Sequence, residues 1–200
     1  TDLALLLNAE AHHLANDNSD EHGLLADIAI SHQLAKFLAG HTAAVTGLAI
    51  APDGQTLASA GSDGSLLVWD LAAGHPTGRP LTGHQGTVNR VAFSPDGRLL
   101  AAGDRDGQVV IWDVASQQPL GPPLSGHQGE VTNLAFSPDQ ARLVSTGQDK
   151  TIVIWQAKTG QVLDRLRIEA AGALFQTAVS PAGNTVATAS DDHKIRLWDI

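Results

Sequence analysis

The chain contains no cysteine, so neither a disulfide framework nor thiol chemistry is open to it, and the cytoplasm is the expected location. Positive charge is scarce. Lys and Arg number 12 against 21 Asp and Glu, the net charge is −9, and no basic stripe appears anywhere, so nucleic acid is not an expected partner. No apolar run approaches the ~18–20 residues needed to span a bilayer, which leaves no membrane-crossing helix to expect. Residues 1–7 lack the basic start and small-residue cleavage site of a signal peptide. No segment has the GxxxxGK form, followed by Ser or Thr, that cradles nucleotide phosphates. What remains is a chain with 42% hydrophobic residues, 16% charged residues and 20 glycines. That composition fits an all-β globular protein and excludes a disordered one.

The strongest positive signal is a repeat. Trp69, Trp112, Trp155 and Trp198 stand 43 residues apart, as do His41, His84 and His127, and a fourth histidine would fall at Ala170. Inside the clearest copy, residues 83–113, short runs rich in β-branched, aliphatic or aromatic residues (87–93, 99–102, 108–112) are separated by Ser94-Pro95-Asp96-Gly97 and Asp106-Gly107. Both separators are turn-forming clusters, so the runs read as strands. Val88, Val91 and Phe93 step by three and then by two, which predicts a bulge early in the first strand. A fourth strand over 119–125 contains prolines that fit only an edge position. Each unit is thus expected to be a four-stranded antiparallel sheet.

The Gly-His opening, the Ser-Pro-Asp-Gly turn, the Asp-Gly turn and the closing Trp-Asp resemble the WD repeat of the WD40 family. The resemblance spans residues 34–200, in repeats of about 34–70, 78–113, 120–156 and 162–199. It implies a β-propeller segment of about four blades, in which each sequence repeat begins with the outer strand of one blade and continues into three strands of the next. The expected result is three complete blades and a three-stranded fourth. Propellers have about four to eight blades, and about seven is usual for this family, so the chain reads as an excerpt of a longer protein. An open arc would expose sheet edges and apolar faces, and self-association through them is expected.

Residues 1–33 are of another kind. Leu3, Leu6, Leu7, Ala11 and Leu14 have helical spacing, the run 16–19 breaks it, and Leu24, Leu25, Ile28 and Ala29 would form a second apolar face. This helical hairpin resembles the linker before WD repeats in bacterial STAND-class signalling NTPases. That context would make the repeats a sensor for a catalytic domain upstream, whereas a plain helical cap on the sheets fits the same residues.

Each repeat can gather a histidine, a hydroxyl residue, an aspartate and a tryptophan: His41, Ser59, Asp63 and Trp69 in the first; His84, Asp106 and Trp112 in the second. The third has His127, Ser145, Asp149 and Trp155, and the fourth Thr188, Asp192 and Trp198. Ser, His and Asp together are the parts of a nucleophilic triad. A catalytic site is built once, however, and this set recurs with the blade, so no catalytic residue is assigned. The family resemblance implies a structural tetrad in which Asp orients His, His reaches Ser or Thr, and the hydroxyl accepts from Trp. Ala102 in repeat two and Ala170 in repeat four break that chain, and an orphaned buried donor costs about 1–3 kcal/mol. No metal site is expected. His12 and His13 would diverge by about 100° on a helix, and His22, His32, His75 and His193 are isolated. No cofactor is expected.

The resemblance also implies a partner-binding face made by the loop before the first strand and the turn between strands two and three. The matching positions are Thr46, Ser62, Thr87, Asn89, Arg105, Glu130, Thr132, Gln148, Phe175 and Asp191. Arg105 and Phe175 are of types enriched at binding hot spots. The expected function is that of a non-enzymatic scaffold for other proteins or peptides.

Overall fold

The structure, a computed structural model, describes residues 37–168 and 172–200. The helical hairpin expected over 1–33 and Ala170 lie outside the described residues. The chain divides into two compact units, Thr1–Leu38 and Ala39–Ile200, and every strand below belongs to the second.

That unit is all-β. Blade one consists of β1 (Val45–Ile50), β2 (Thr56–Gly61), β3 (Leu66–Asp70) and β4 (His75–Pro76). Blade two consists of β5 (Val88–Phe93), β6 (Leu99–Asp104), β7 (Gln108–Asp113), β8 (Gln118–Pro119) and β9 (Leu124–Ser125), the last two both pairing with β7. Blade three runs β10 (Val131–Phe136), β11 (Arg142–Gly147), β12 (Thr151–Gln156) and β13 (Val162–Arg167). Blade four has three strands, β14 (Leu174–Val179), β15 (Thr185–Ser190) and β16 (Ile195–Asp199). All pairings are antiparallel and, apart from that of β9 with β7, join sequence neighbours, so each blade is a meander.

The bulge recurs at one place in every blade, with register shifts between Val45 and Gly47, Val88 and Arg90, Val131 and Asn133, and Leu174 and Gln176. The turns after the first strands also repeat. Gly54, Gly97 and Gly183 take φ of 67–76°, and Gln140, at the same position in blade three, takes φ of 61°. A side chain in that left-handed region costs roughly 1–2 kcal/mol.

The outer strands depart from expectation. The run 119–125 splits into β8 and β9 because Pro122 and Pro123 between them carry no N–H for the ladder. In blade one the matching segment, 79–82, holds only a single bridge, Leu66 to Leu81, beside the short β4. Blade three has a continuous outer strand, and its segment 162–167 lacks proline. At the start of the first repeat, residues 37–39 are not in a strand.

The hydrophobic cores lie between blades. Ala58, Val68 and Leu66 of blade one pack with Val88, Val91 and Trp112 of blade two. Val109 and Ile111 of blade two pack with Val131, Leu134 and Phe136 of blade three. Ile152 and Val144 of blade three meet Leu174 and Val186 of blade four. Because the inner strands are covered on both faces, β7 and β12 are continuous apolar runs instead of alternating ones. Close packing also explains the glycines before His41 and His127: a Cβ at Gly40 would sit 2.9 Å from the Trp69 ring and one at Gly126 2.2 Å from the Trp155 ring. Among the described residues no helix is long and apolar enough to cross a membrane.

Candidate functional site

In blades one and three the expected residues converge. His41 Nδ1 lies 3.1 Å from Asp63 Oδ2, its Nε2 lies 2.7 Å from Ser59 Oγ, and Trp69 Nε1 donates to Ser59 Oγ over 2.8 Å. His127, Asp149, Ser145 and Trp155 reproduce this at 3.1, 2.7 and 2.8 Å. The carboxylate is acceptor-only when ionised and the indole is donor-only. Those two ends set the direction of the chain: Nδ1–H donates to Asp, Ser O–H donates to Nε2, and the indole N–H donates to Ser.

Sequence reasoning missed a fifth member. Ser65 and Thr151, two residues after each aspartate, donate their hydroxyls to Asp63 Oδ1 over 2.8 Å and Asp149 Oδ1 over 2.7 Å. Backbone N–H groups of Thr42 and Gln128 reach the other oxygens at 2.8 Å. Each carboxylate therefore stitches the loop before β1 or β10 to the turn after β2 or β11. The signal was a hydroxyl residue following Asp-Gly or Asp-Lys by one position.

Blade two corrects one assignment. The partner of His84 Nδ1 is Asp104, not Asp106, at 2.7 Å with both side chains fully buried. Position 104 is glycine in blades one and three, where a Cβ at Gly61 would lie 2.5 Å from both Asp63 Oδ1 and His41 Nδ1. A carboxylate rooted there occupies the space of the in-register one. Asp104 Oδ1 also accepts the N–H groups of Asp106 and Gln108, while the Asp106 carboxylate lies over Gly86. Ala102 offers no hydroxyl, and His84 Nε2 is buried without a partner; the imidazole ring stands 5.5 Å from that of Trp112.

Blade four uses a different partner for its aspartate. Trp198 Nε1 donates to Thr188 Oγ1 over 3.0 Å, and Arg196 makes a two-pronged contact to Asp192 at 3.1 and 2.5 Å. Arg196 thus holds the aspartate where the other blades use histidine.

The electrostatics follow. Partial burial would raise the Asp63 carboxyl, but the N–H of Thr42, the hydroxyl and N–H of Ser65 and the His41 ring outweigh it and hold it far below the usual range. Asp149 behaves likewise through His127, Gln128 and Thr151. Arg196 and Ser190 depress Asp192. A carboxyl depressed on folding stabilises above its unfolded value of about 3.9 and loses that contribution as pH falls toward the folded one. Urea midpoints should therefore change little above pH ~5 and fall steeply from pH ~4 downward; Asp63→Asn should flatten that fall.

No described group of three His, Cys, Asp or Glu residues is arranged to hold a metal ion. The serine hydroxyls are enclosed, Ser145 being 0% and Ser59 3% exposed.

The expected partner-binding residues separate into two sets. Asn89 and Thr132 are buried, and Thr46 is half-buried with its hydroxyl bonded to the carbonyls of Ala60 and Val88. Thr132 donates to the Thr146 carbonyl, and Asn89 reaches Glu130 across the joint between blades two and three. These three hold strands together and do not offer themselves to a partner. Glu130 is a hub, also bonded to Gln148 over 2.8 Å and 3.7 Å from Arg105. Ser62, Gln148, Asp191, Phe175 and the Arg105 side chain are exposed, and Thr87 is half-buried. In all four blades the turn residue is tied to the loop before the first strand: Ser62 N–H to Ala44 O, Arg105 to Thr87, Gln148 to Glu130 and Asp191 to Ala173, at 2.8–3.2 Å. These turns therefore form one repeated end of the blades.

A family model for the WD domain, G-beta repeat, matches residues 32–70, 75–113, 118–156 and 170–199. No curated protein matches the chain. Four in-register matches cover well over half of the sequence, and they coincide with four sheets of one design. The chain belongs to the WD40 family.

Proposed function

We propose that this chain is a non-enzymatic scaffold that binds other proteins or peptides at the end of the blades carrying Ser62, Arg105, Gln148, Phe175 and Asp191. WD40 domains in general mediate protein–protein interactions. One observation carries the reading: the polar groups that resemble a catalytic set are enclosed and bonded to one another. The turn residues of all four blades are meanwhile presented at one end, exposed and backbone-anchored. Arg105 supplies a guanidinium and Phe175 an aromatic ring on that end, which suits an acidic or apolar peptide side chain.

The test is site-specific photo-crosslinking. A crosslinker at Gln148 or Arg105 should capture protein from cell extract, whereas one at Asp53 or Asp139, in the turns at the opposite end, should not. Equal capture from both ends would refute the assignment. A fluorophosphonate probe should leave Ser59 and Ser145 unlabelled in the folded protein; labelling of either would point to a hydrolase.

A further inference from the structure

A cleft of about 410 Å³ opens at the turn end of blade three, and cations line it in a chain whose net charge is −9. They come from two elements. Lys150 stands in the turn between β11 and β12, and Arg165 and Arg167 stand on β13. Strand alternation puts both arginines on one face of β13, opposite Val153 and Thr151 of β12. The backbone ties the two elements together, since the Ile168 N–H donates to the Lys150 carbonyl over 3.1 Å. Gln128, from the loop before β10, adds an exposed amide side chain to the wall.

Blades one and two have nothing comparable. By strand register, the positions of Arg165 and Arg167 are Pro80 and Thr82 in blade one and Pro123 and Ser125 in blade two. The turn position of Lys150 is Gly64 or Gly107 there, with φ of 76° and 83°, and His193 in blade four, with φ of 64°. Lys150 itself has φ of 66°, a backbone in which glycine is less strained than any residue with a Cβ. Such strain gathers where a side chain serves a contact. No internal contact uses this one. Among the described residues, neither the Lys150 ammonium nor the Arg165 guanidinium has an ion pair or hydrogen bond.

The nearby acids are already engaged. Asp149 lines the cleft, but its Oδ1 accepts from His127 and from the hydroxyl and N–H of Thr151, and its Oδ2 from the Gln128 N–H. Glu130, which Gln148 reaches, is held by Asn89 over 2.7 Å.

We propose that this cleft binds a phosphate monoester carried on a side chain of a partner peptide. A carboxylate brings one charge and two oxygens. A phosphate monoester brings about 1.5–2 negative charges and three acceptor oxygens, which suits an ammonium in the turn, a guanidinium on the outer strand and an amide donor together. Charge-assisted bonds from arginine and lysine are the general means of holding that group. The inference rests on the turn end being the partner-binding end and gives that end a ligand class, since Gln148 lines the cleft as well.

The experiment follows the 200-residue chain by NMR at physiological salt. The probes are a short glycine-rich peptide with one phosphoserine, the same peptide with serine or glutamate in its place, and inorganic phosphate. The phosphoserine peptide should shift the backbone amide signals of Gln128, Lys150 and Thr151 saturably, and inorganic phosphate should compete with lower affinity. Arg165→Gln and Lys150→Gly should each weaken binding about tenfold, the worth of one charge-assisted bond. Lys158→Gln, in the turn at the other end of blade three, should bind as the parent does. Lys150→Gly should melt no lower than the parent, because glycine suits this backbone, so its lost binding is not lost folding. Absence of saturable shifts overturns the proposal, as does a serine or glutamate peptide that binds as tightly as the phosphoserine one. Inorganic phosphate binding as tightly as the peptide removes the peptide as its source and overturns it too. Equal weakening by Lys158→Gln would reveal general charge attraction and no site. The two readings fail separately: crosslinked capture at Gln148 or Arg105 without phosphoserine binding keeps the partner-binding end and discards this ligand.

Discussion

Ser145→Ala should lower the stability of the four-blade unit by about 2–4 kcal/mol, a large part of the ~5–15 kcal/mol typical of a whole domain. The side chain is small, so the loss does not come from a cavity. It comes from the two neighbours left behind. His127 Nε2 accepts from Ser145 Oγ at 2.7 Å and Trp155 Nε1 donates to it at 2.8 Å. Both would become buried polar atoms without partners, each costing about 1–3 kcal/mol. Water is a poor substitute here, since Ser145 is fully enclosed and Trp155 nearly so. The reverse change in blade two should have the reverse sign. Ala102→Ser supplies the missing hydroxyl to His84 Nε2, and a gain of about 1 kcal/mol is expected even though a polar atom enters a core. Urea titrations of both variants provide the measurement. A loss below ~0.5 kcal/mol for Ser145→Ala would mean that the tetrad contributes little to holding the blade.

The second large effect separates two aspartates two residues apart. Asp104→Ala should cost about 2–4 kcal/mol, because it strands the fully buried His84 Nδ1–H and takes the acceptor from the part-buried backbone N–H groups of Asp106 and Gln108. Asp106→Ala should fall within about 0.5 kcal/mol of the parent, as surface changes usually do. Register alone would rank the two in the opposite order. Paired denaturant midpoints decide between them, and Asp106→Ala being the more damaging would show that the spacing rule outranks the geometry.

Much of the fold was legible in the sequence because a repeat states each feature more than once. The four tryptophans, the Gly-His pairs and the Ser-Pro-Asp-Gly turns each have one physical use, and the early bulge follows from the spacing of Val88, Val91 and Phe93. What was not legible depended on exchange between positions. Asp104 stands where blades one and three need glycine, and only the shared space around His84 shows that its carboxylate can replace the one at 106. Arg196, on the third strand, substitutes for a histidine of the loop before the first strand, at a position that is Leu67, Val110 or Val153 in the other blades, so no register could point to it. The outer strands lost continuity through Pro122 and Pro123, which read as edge-compatible but still break the ladder.

The partner-binding set was legible only as a face, not residue by residue. Asn89 and Thr132 lie on first strands packed between blades, so a polar side chain there is taken up by the fold, Asn89 by Glu130 of the next blade and Thr132 by the Thr146 carbonyl of its own. Ser62, Gln148 and Asp191 follow a strand end, where the chain turns away from the sheet, and stay exposed.

Hydrogen exchange of the indole N–H protons, followed by NMR, tests the pinned-blade architecture most directly. The N–H protons of Trp69 and Trp155 should exchange only when the whole unit opens. Ser59→Ala and Ser145→Ala should each release the tryptophan of its own blade and leave the other protected. If both indoles exchange rapidly in the folded parent, or if either substitution leaves its own tryptophan as protected as before, the blades are not held by these internal chains.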